Sequence, residues 1–168
     1  MATEICFDLE TTGLSNLKDR IIAIGIKTDS EELVITYKQE KRMLEEFWAY
    51  LRKFNNIKLI TFNGAEFDVP FLIVRSLKHN ILIVKINRYD HLDLKIALSN
   101  GFRYKKGKLE EFSKLIKYKP KYNGYKGEHI PLLWKNKQLD ELKEYVMQDA
   151  RMTYFLFKRL KEINAIWI

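Results

Sequence analysis

Cysteine is nearly absent. With Cys6 alone no internal disulfide can form, and its neighbours Ile5 and Phe7 suggest a buried, inert thiol. The three histidines, His79, His91 and His129, are too far apart for zinc-type spacing, so each is expected to have a surface or hydrogen-bonding role. No apolar run is long enough to span a bilayer. Residues 1–10 also lack the basic start and hydrophobic stretch of a signal peptide. A soluble, cytoplasmic protein with no membrane partner is the expectation, and neither an internal repeat nor a low-complexity linker argues otherwise.

What the chain does have is core-forming material: 46% of its 168 residues are apolar and 13% aromatic, enough for one domain spanning residues 1–168. The net charge of +8 is unevenly placed. Residues 102–126 hold nine basic side chains against Glu110 and Glu111, a net +7, so the remainder is nearly neutral. Phe102, Tyr104, Phe112, Tyr118, Tyr122 and Tyr125 are interleaved with those charges. Such a surface can pair phosphates and stack bases, with Lys117, Lys119 and Lys121 as candidate contacts, or it can be a solvated lysine-rich loop around a short helix.

Periodicity predicts strands over residues 4–9, 20–28, 32–37 and 57–62, the second and third joined as a hairpin through Asp29 and Ser30. It predicts helices over 41–54, 69–79, 109–116 and 139–160. Residues 81–86, ILIVKI, read as a further strand, with 90–99 helical after it. Strands in hairpin order followed by strands alternating with helices point to an α/β sandwich around a mixed sheet.

Against this background FDLETTG, residues 7–13, is unusual. In a strand, Asp8 and Glu10 point to the same face, where two carboxylates either force a proton onto one or require a cation between them. Two further acids are placed to join them. Asp68 follows an apolar strand and precedes a helix, a position that by itself favours an N-cap. Asp149 lies on the inward stripe of the last helix with Tyr145 one turn before it, and a buried ion pair with a lysine would be its simplest explanation.

Taken together, FDLETTG, NGAEFDVPFL and YVMQDA resemble the three exonuclease motifs of the DEDD superfamily, of ribonuclease H-like fold. The four acids of its name match Asp8, Glu10, Asp68 and Asp149. Tyr145, with three residues before Asp149, matches the tyrosine type. The sequence is most similar to the proofreading exonuclease domain of family B DNA polymerases and to small stand-alone relatives. The resemblance implies a mixed central β-sheet flanked by α-helices, and 3′ to 5′ hydrolysis of single-stranded nucleic acid with a free 3′ end, DNA being the favoured substrate and RNA the alternative, releasing nucleoside 5′-monophosphates.

It also implies two divalent cations, Mg²⁺ or Mn²⁺, consistent with an all-oxygen ligand set. Asp8 would bridge both ions, Glu10 and Asp149 would complete the water-activating site, Asp68 would support the second ion through water, and Tyr145 would orient the nucleophile. Leu14 and Phe67 would wedge against terminal bases, while Asn63 and the backbone near Thr11 and Thr12 would hold the terminal nucleotide. On the residues alone, Leu14 and Phe67 could be core and Asn63-Gly64 a plain turn. Asp93 is expected to cap the following helix, and residues 127–134 to dock a loop. A non-catalytic nucleic-acid-binding module and a structure-selective endonuclease or resolvase are the rival functions. A polymerase or DNA repair partner is left open; any proofreading would act in trans.

Overall fold

The computed structural model describes residues 2–99, 106–120, 122 and 124–166. Strands β1 (Thr3–Thr11), β2 (Ile21–Lys27) and β3 (Glu32–Ile35) form an antiparallel meander. Helix α1 (Glu40–Leu51) leads to β4 (Ile57–Thr61), and α2 (Asp68–His79) leads to β5 (His91–Asp93), both strands parallel to β1. The sheet order is β3-β2-β1-β4-β5. Helices α3 (Leu94–Leu98), α4 (Leu109–Leu115), α5 (Ile130–Lys135) and α6 (Leu139–Glu162) follow, with one 3₁₀ turn at Gly127–His129. The α/β architecture is the expected one, with a mixed sheet flanked by helices.

The two-residue period of β1 divides the molecule. Ile5, Phe7 and Leu9 bury themselves with Met43, Phe47 and Trp48 of α1 and Phe71 of α2. Cys6 faces the other way, against Leu156, Phe157 and Leu160 of α6. Asp8 and Glu10 therefore continue the face that α6 covers. Burial pushes the Cys6 thiol pKa up, in keeping with an inert core residue.

ILIVKI differs from expectation. Residues 81–87 make no strand, and the edge of β4 is occupied by residues 89–93, with Lys58 donating to the Tyr89 carbonyl and the Leu59 amide to that of Asp90. Ile81, Ile83, Val84 and Ile86 still pack against the core beneath α1 and α2. Alternating apolar residues record burial of one side of a segment, and a segment can satisfy that without joining a ladder. The histidines all hydrogen-bond, His79 to Glu40, His91 to Thr61 and His129 to the Lys126 amide.

Candidate active site

Asp8 pairs across the sheet with Gly25. A Cβ built on Gly25 would lie 2.6 Å from the Val146 carbonyl oxygen, so the missing side chain lets α6 approach the sheet where it carries Tyr145 and Asp149. Beyond Glu10 the β1–β2 register slips: Glu10 faces Ala23 but Thr11 faces Ile21. This bulge turns both Ile22 and Ala23 into the cluster of Leu142, Tyr145 and Val146, anchoring the start of α6 beside the acids.

Carboxylate oxygens of Asp8, Glu10 and Asp149 lie within 4.8 Å of one another. Asp68 does not cap α2; Phe67 occupies the cap position, and Asp68 is the first helical residue. Its Oδ1 accepts the Leu9 amide at 3.0 Å, from a stretch of β1 that has outrun its pairing with β4 at Cys6–Ile60. The bond holds the start of α2 against the acid-bearing end of β1. No lysine pairs with Asp149 among the described residues; its donor there is the Tyr122 hydroxyl, by a short hydrogen bond. The Tyr122 ring packs on Tyr145 with centroids 4.8 Å apart.

Electrostatically this group is costly without a counter-charge. Burial, then Asp149, Asp68 and Glu10, raise the Asp8 carboxyl well above its ordinary range, and burial followed by Asp149 and Asp68 does the same to Glu10. Burial takes Asp68 up to about 7 against the opposing Leu9 bond, and Asp149 to about 7 against the Tyr122 bond. Tyr145 is also shifted upward by burial and by Asp149, so its phenol stays neutral and can donate. An all-oxygen set of converging carboxylates suits a hard divalent cation; Cys6, on the same face, is buried in the apolar cluster below and offers no competing sulfur.

The expected substrate contacts separate. Leu14 is 87% exposed on the β1–β2 loop, so it is no core residue, while Phe67 is half-buried against Phe71 at 5.0 Å. Asn63 has φ 67°, and its Oδ1 is buried with no donor among the described residues. Asp93 caps α3 as expected, through the Lys95 and Ile96 amides, and also accepts the amides of Asn63 and Ala65, pinning that loop. Thr11 donates to the Gly13 carbonyl, the Thr12 hydroxyl to Asp19 and the Thr12 amide to the Arg20 carbonyl, so both hydroxyl protons and that amide are already engaged. Lys117 lines a small cleft with Phe155, Lys158 and Arg159, side chains that begin about 9 Å along α6 from Asp149 at 1.5 Å per residue. Lys119 is exposed, and Lys121 lies outside the described residues. Sequence reasoning missed Tyr122 as a site residue; its position within an aromatic, basic stretch gave no sign of which ring would reach Asp149.

Residues 16–166 match a protein family described as "Predicted 3'-5' exonuclease related to the exonuclease domain of PolB". The chain belongs to this family. A functionally uncharacterized protein of Methanocaldococcus jannaschii is 32% identical over 95% of this chain and 96% of its own length. DNA polymerases of Pyrococcus glycovorans and Thermococcus aggregans are each 27% identical over 96% of this chain, which spans 25% and 11% of their respective lengths. The chain is thus homologous to the exonuclease domains of archaeal family B polymerases. The solved family B DNA polymerase of Pyrobaculum calidifontis superposes with a TM-score of 0.81 over 98% of this chain and 25% of that one, at 18% identity, which establishes the shared ribonuclease H-like fold. The family match begins after Asp8 and Glu10, so the placement of those two acids rests on the geometry above.

Proposed function

We propose that residues 1–168 form one exonuclease domain that hydrolyses single-stranded nucleic acid, DNA rather than RNA, from a free 3′ end to nucleoside 5′-monophosphates. The observation that carries this reading is the convergence of Asp8, Glu10 and Asp149 within 4.8 Å, with Tyr145 on the same helix, in a member of this family. Asp8, Glu10 and Asp149 would hold divalent cations, Mg²⁺ or Mn²⁺, with Asp68 in support. Two such ions, when bound, would supply Lewis-acid activation of water and neutralise charge on the phosphoryl group.

The chain's own residues do the rest. Tyr145, neutral at working pH, donates to the attacking water and aligns it instead of deprotonating it. Tyr122 holds one oxygen of Asp149, which fixes the carboxylate's orientation and leaves its second oxygen for a ligand. Leu14 projects from its loop as a ready wedge for a terminal base, half-buried Phe67 is the second wedge, and Asn63 would hold the terminal nucleotide once its buried, unpartnered Oδ1 turns outward.

Digestion of a 3′-labelled oligonucleotide with Mg²⁺ or Mn²⁺ tests the reading. Label should appear at once as mononucleotide, and a blocked 3′ end should slow its release. Cleavage of a closed circular strand would instead indicate an endonuclease, and binding without any cleavage a non-catalytic module.

A further inference from the structure

A cleft of about 650 Å³ lies between the β1–β2 loop, the beginning of α1 and the end of α2. Lys18, Arg20, Lys38, Lys41 and Lys78 line it, drawn from three separate segments. Among its described lining residues the one carboxylate is Glu40, only 5% exposed and already saturated. Glu40 accepts the Arg75 Nε and Nη2 at 2.9 and 2.7 Å, His79 at 2.8 Å and the Ile21 amide at 2.7 Å. The wall cations are therefore not neutralised from within. Lys18, Lys38 and Lys78 have no acidic partner among the described residues, and Lys41 has only a 3.8 Å surface contact with Glu45.

The cleft begins where the acids end. Thr12 lines it, two residues past Glu10, and Arg20 is clamped beside Thr12 by two hydrogen bonds, from the Thr12 amide to the Arg20 carbonyl and from the Arg20 amide to the Thr12 hydroxyl. The Arg20 guanidinium is steadied by the Lys38 carbonyl at 2.6 Å and the Trp134 ring at 5.6 Å, while its buried Nε has no partner. Lys78 lines the cleft as well, about 15 Å along α2 from Asp68. A cationic cleft at the sheet edge where β1 ends, β2 begins and β3 ends complements the evenly spaced negative charges of a polynucleotide.

We propose that this cleft is the phosphate track for the substrate strand beyond the nucleotide being removed, an inference that rests on the nuclease reading above. The track makes no contact with the reacting phosphate. It governs how tightly long strands bind, and hydrolysis of a substrate too short to enter it is independent of its charge.

The test combines Lys38→Glu, Lys41→Glu and Lys78→Glu in the full chain, with the corresponding triple glutamine variant beside it. Binding of a fluorescent twenty-nucleotide oligothymidylate is followed by anisotropy in EDTA across a salt series. Three phosphate contacts at about 0.7 each should make the slope of log affinity against log salt shallower by about 2, and affinity at low salt should fall at least about tenfold. Glutamine should give the same change in slope with a smaller loss of affinity. With Mn²⁺, hydrolysis of the p-nitrophenyl ester of thymidine 5′-monophosphate should stay within about twofold of the parent protein. An unchanged salt slope in both variants, or an equal fall in small-ester hydrolysis, overturns the proposal. Should the parent protein with Mn²⁺ hydrolyse neither this ester nor the oligothymidylate, the nuclease reading fails, while the slope still decides whether the cleft binds a polyanion.

Discussion

Removing divalent cations should leave a protein whose stability falls as pH rises through neutrality. Asp149 moves from an ordinary 3.8 to about 7 on folding, roughly three units, or ~4 kcal/mol at 1.36 kcal/mol per unit. Because the folded state holds this proton more tightly than the unfolded chain does, the contribution is fully present below about pH 4. It is lost progressively as pH rises to about 7. Asp8, Glu10 and Asp68 share the same repulsion, so their shifts do not simply add. The single-group figure sets the scale. About two of those units lie between pH 5 and pH 8, so at about 1.36 kcal/mol per unit and a urea m-value of about 2 kcal/mol/M the midpoint in EDTA should drop by about 1.4 M over that range. In Asp149→Asn, where that carboxyl cannot titrate, the drop should be clearly smaller. Adding Mn²⁺ at pH 8 should restore the parent protein far more than the variant. Parallel pH profiles for the two proteins in EDTA would refute the reasoning, because the electrostatic cost would then lie elsewhere.

Other expectations concern single side chains. Asp149→Ala should abolish hydrolysis, whereas Tyr145→Phe should lower kcat by a smaller factor, about 10²; equal losses in single-turnover assays would contradict an aligning role for the phenol. Tyr122→Phe should lower kcat with little change in KM and weaken Mn²⁺ binding in calorimetry roughly tenfold, and unaltered Mn²⁺ binding would show that its bond to Asp149 is not used. Gly25→Ala should destabilise by about 1–3 kcal/mol, since its Cβ would meet the Val146 carbonyl oxygen at 2.6 Å. Activity in folded protein should fall further, as α6 moves off the sheet; full activity at native stability would count against that role for the close approach. Charge reversal at Lys117 and Lys119 should flatten the salt dependence of strand binding less than reversal in the cationic cleft, because Lys117 shares its own cleft with Glu162 while Lys18, Lys38 and Lys78 of the cationic one have no acidic partner among the described residues.

Each legible part of the site was local. Asp8 and Glu10 share a face because strands repeat every two residues, and Tyr145 and Asp149 because helices return after about four. Those periods, with the order of apolar runs, were enough to identify the mixed sheet and the elements that carry the acids. Position alone misled at Asp68, where an N-cap seemed the simplest account, because its carboxylate instead accepts an amide 59 residues earlier. ILIVKI misled for a related reason: its pattern recorded which side chains are buried, while β5 at His91–Asp93 competed for the same sheet edge.

What only the tertiary structure decided depends on distant segments meeting. Tyr122 reaches Asp149 across 27 residues, and the cationic cleft takes its walls from the β1–β2 loop, α1 with the residues before it, and α2. The densest run of positive charge, residues 102–126, gave no hint of that cleft, since its lysines are scattered singly elsewhere. Chain periodicity dictates which way a side chain points from its own element. Which carboxylates, phenols and lysines become neighbours is set by how the helices pack on the sheet, and a close approach such as Gly25 to Val146 is visible only once both are in place.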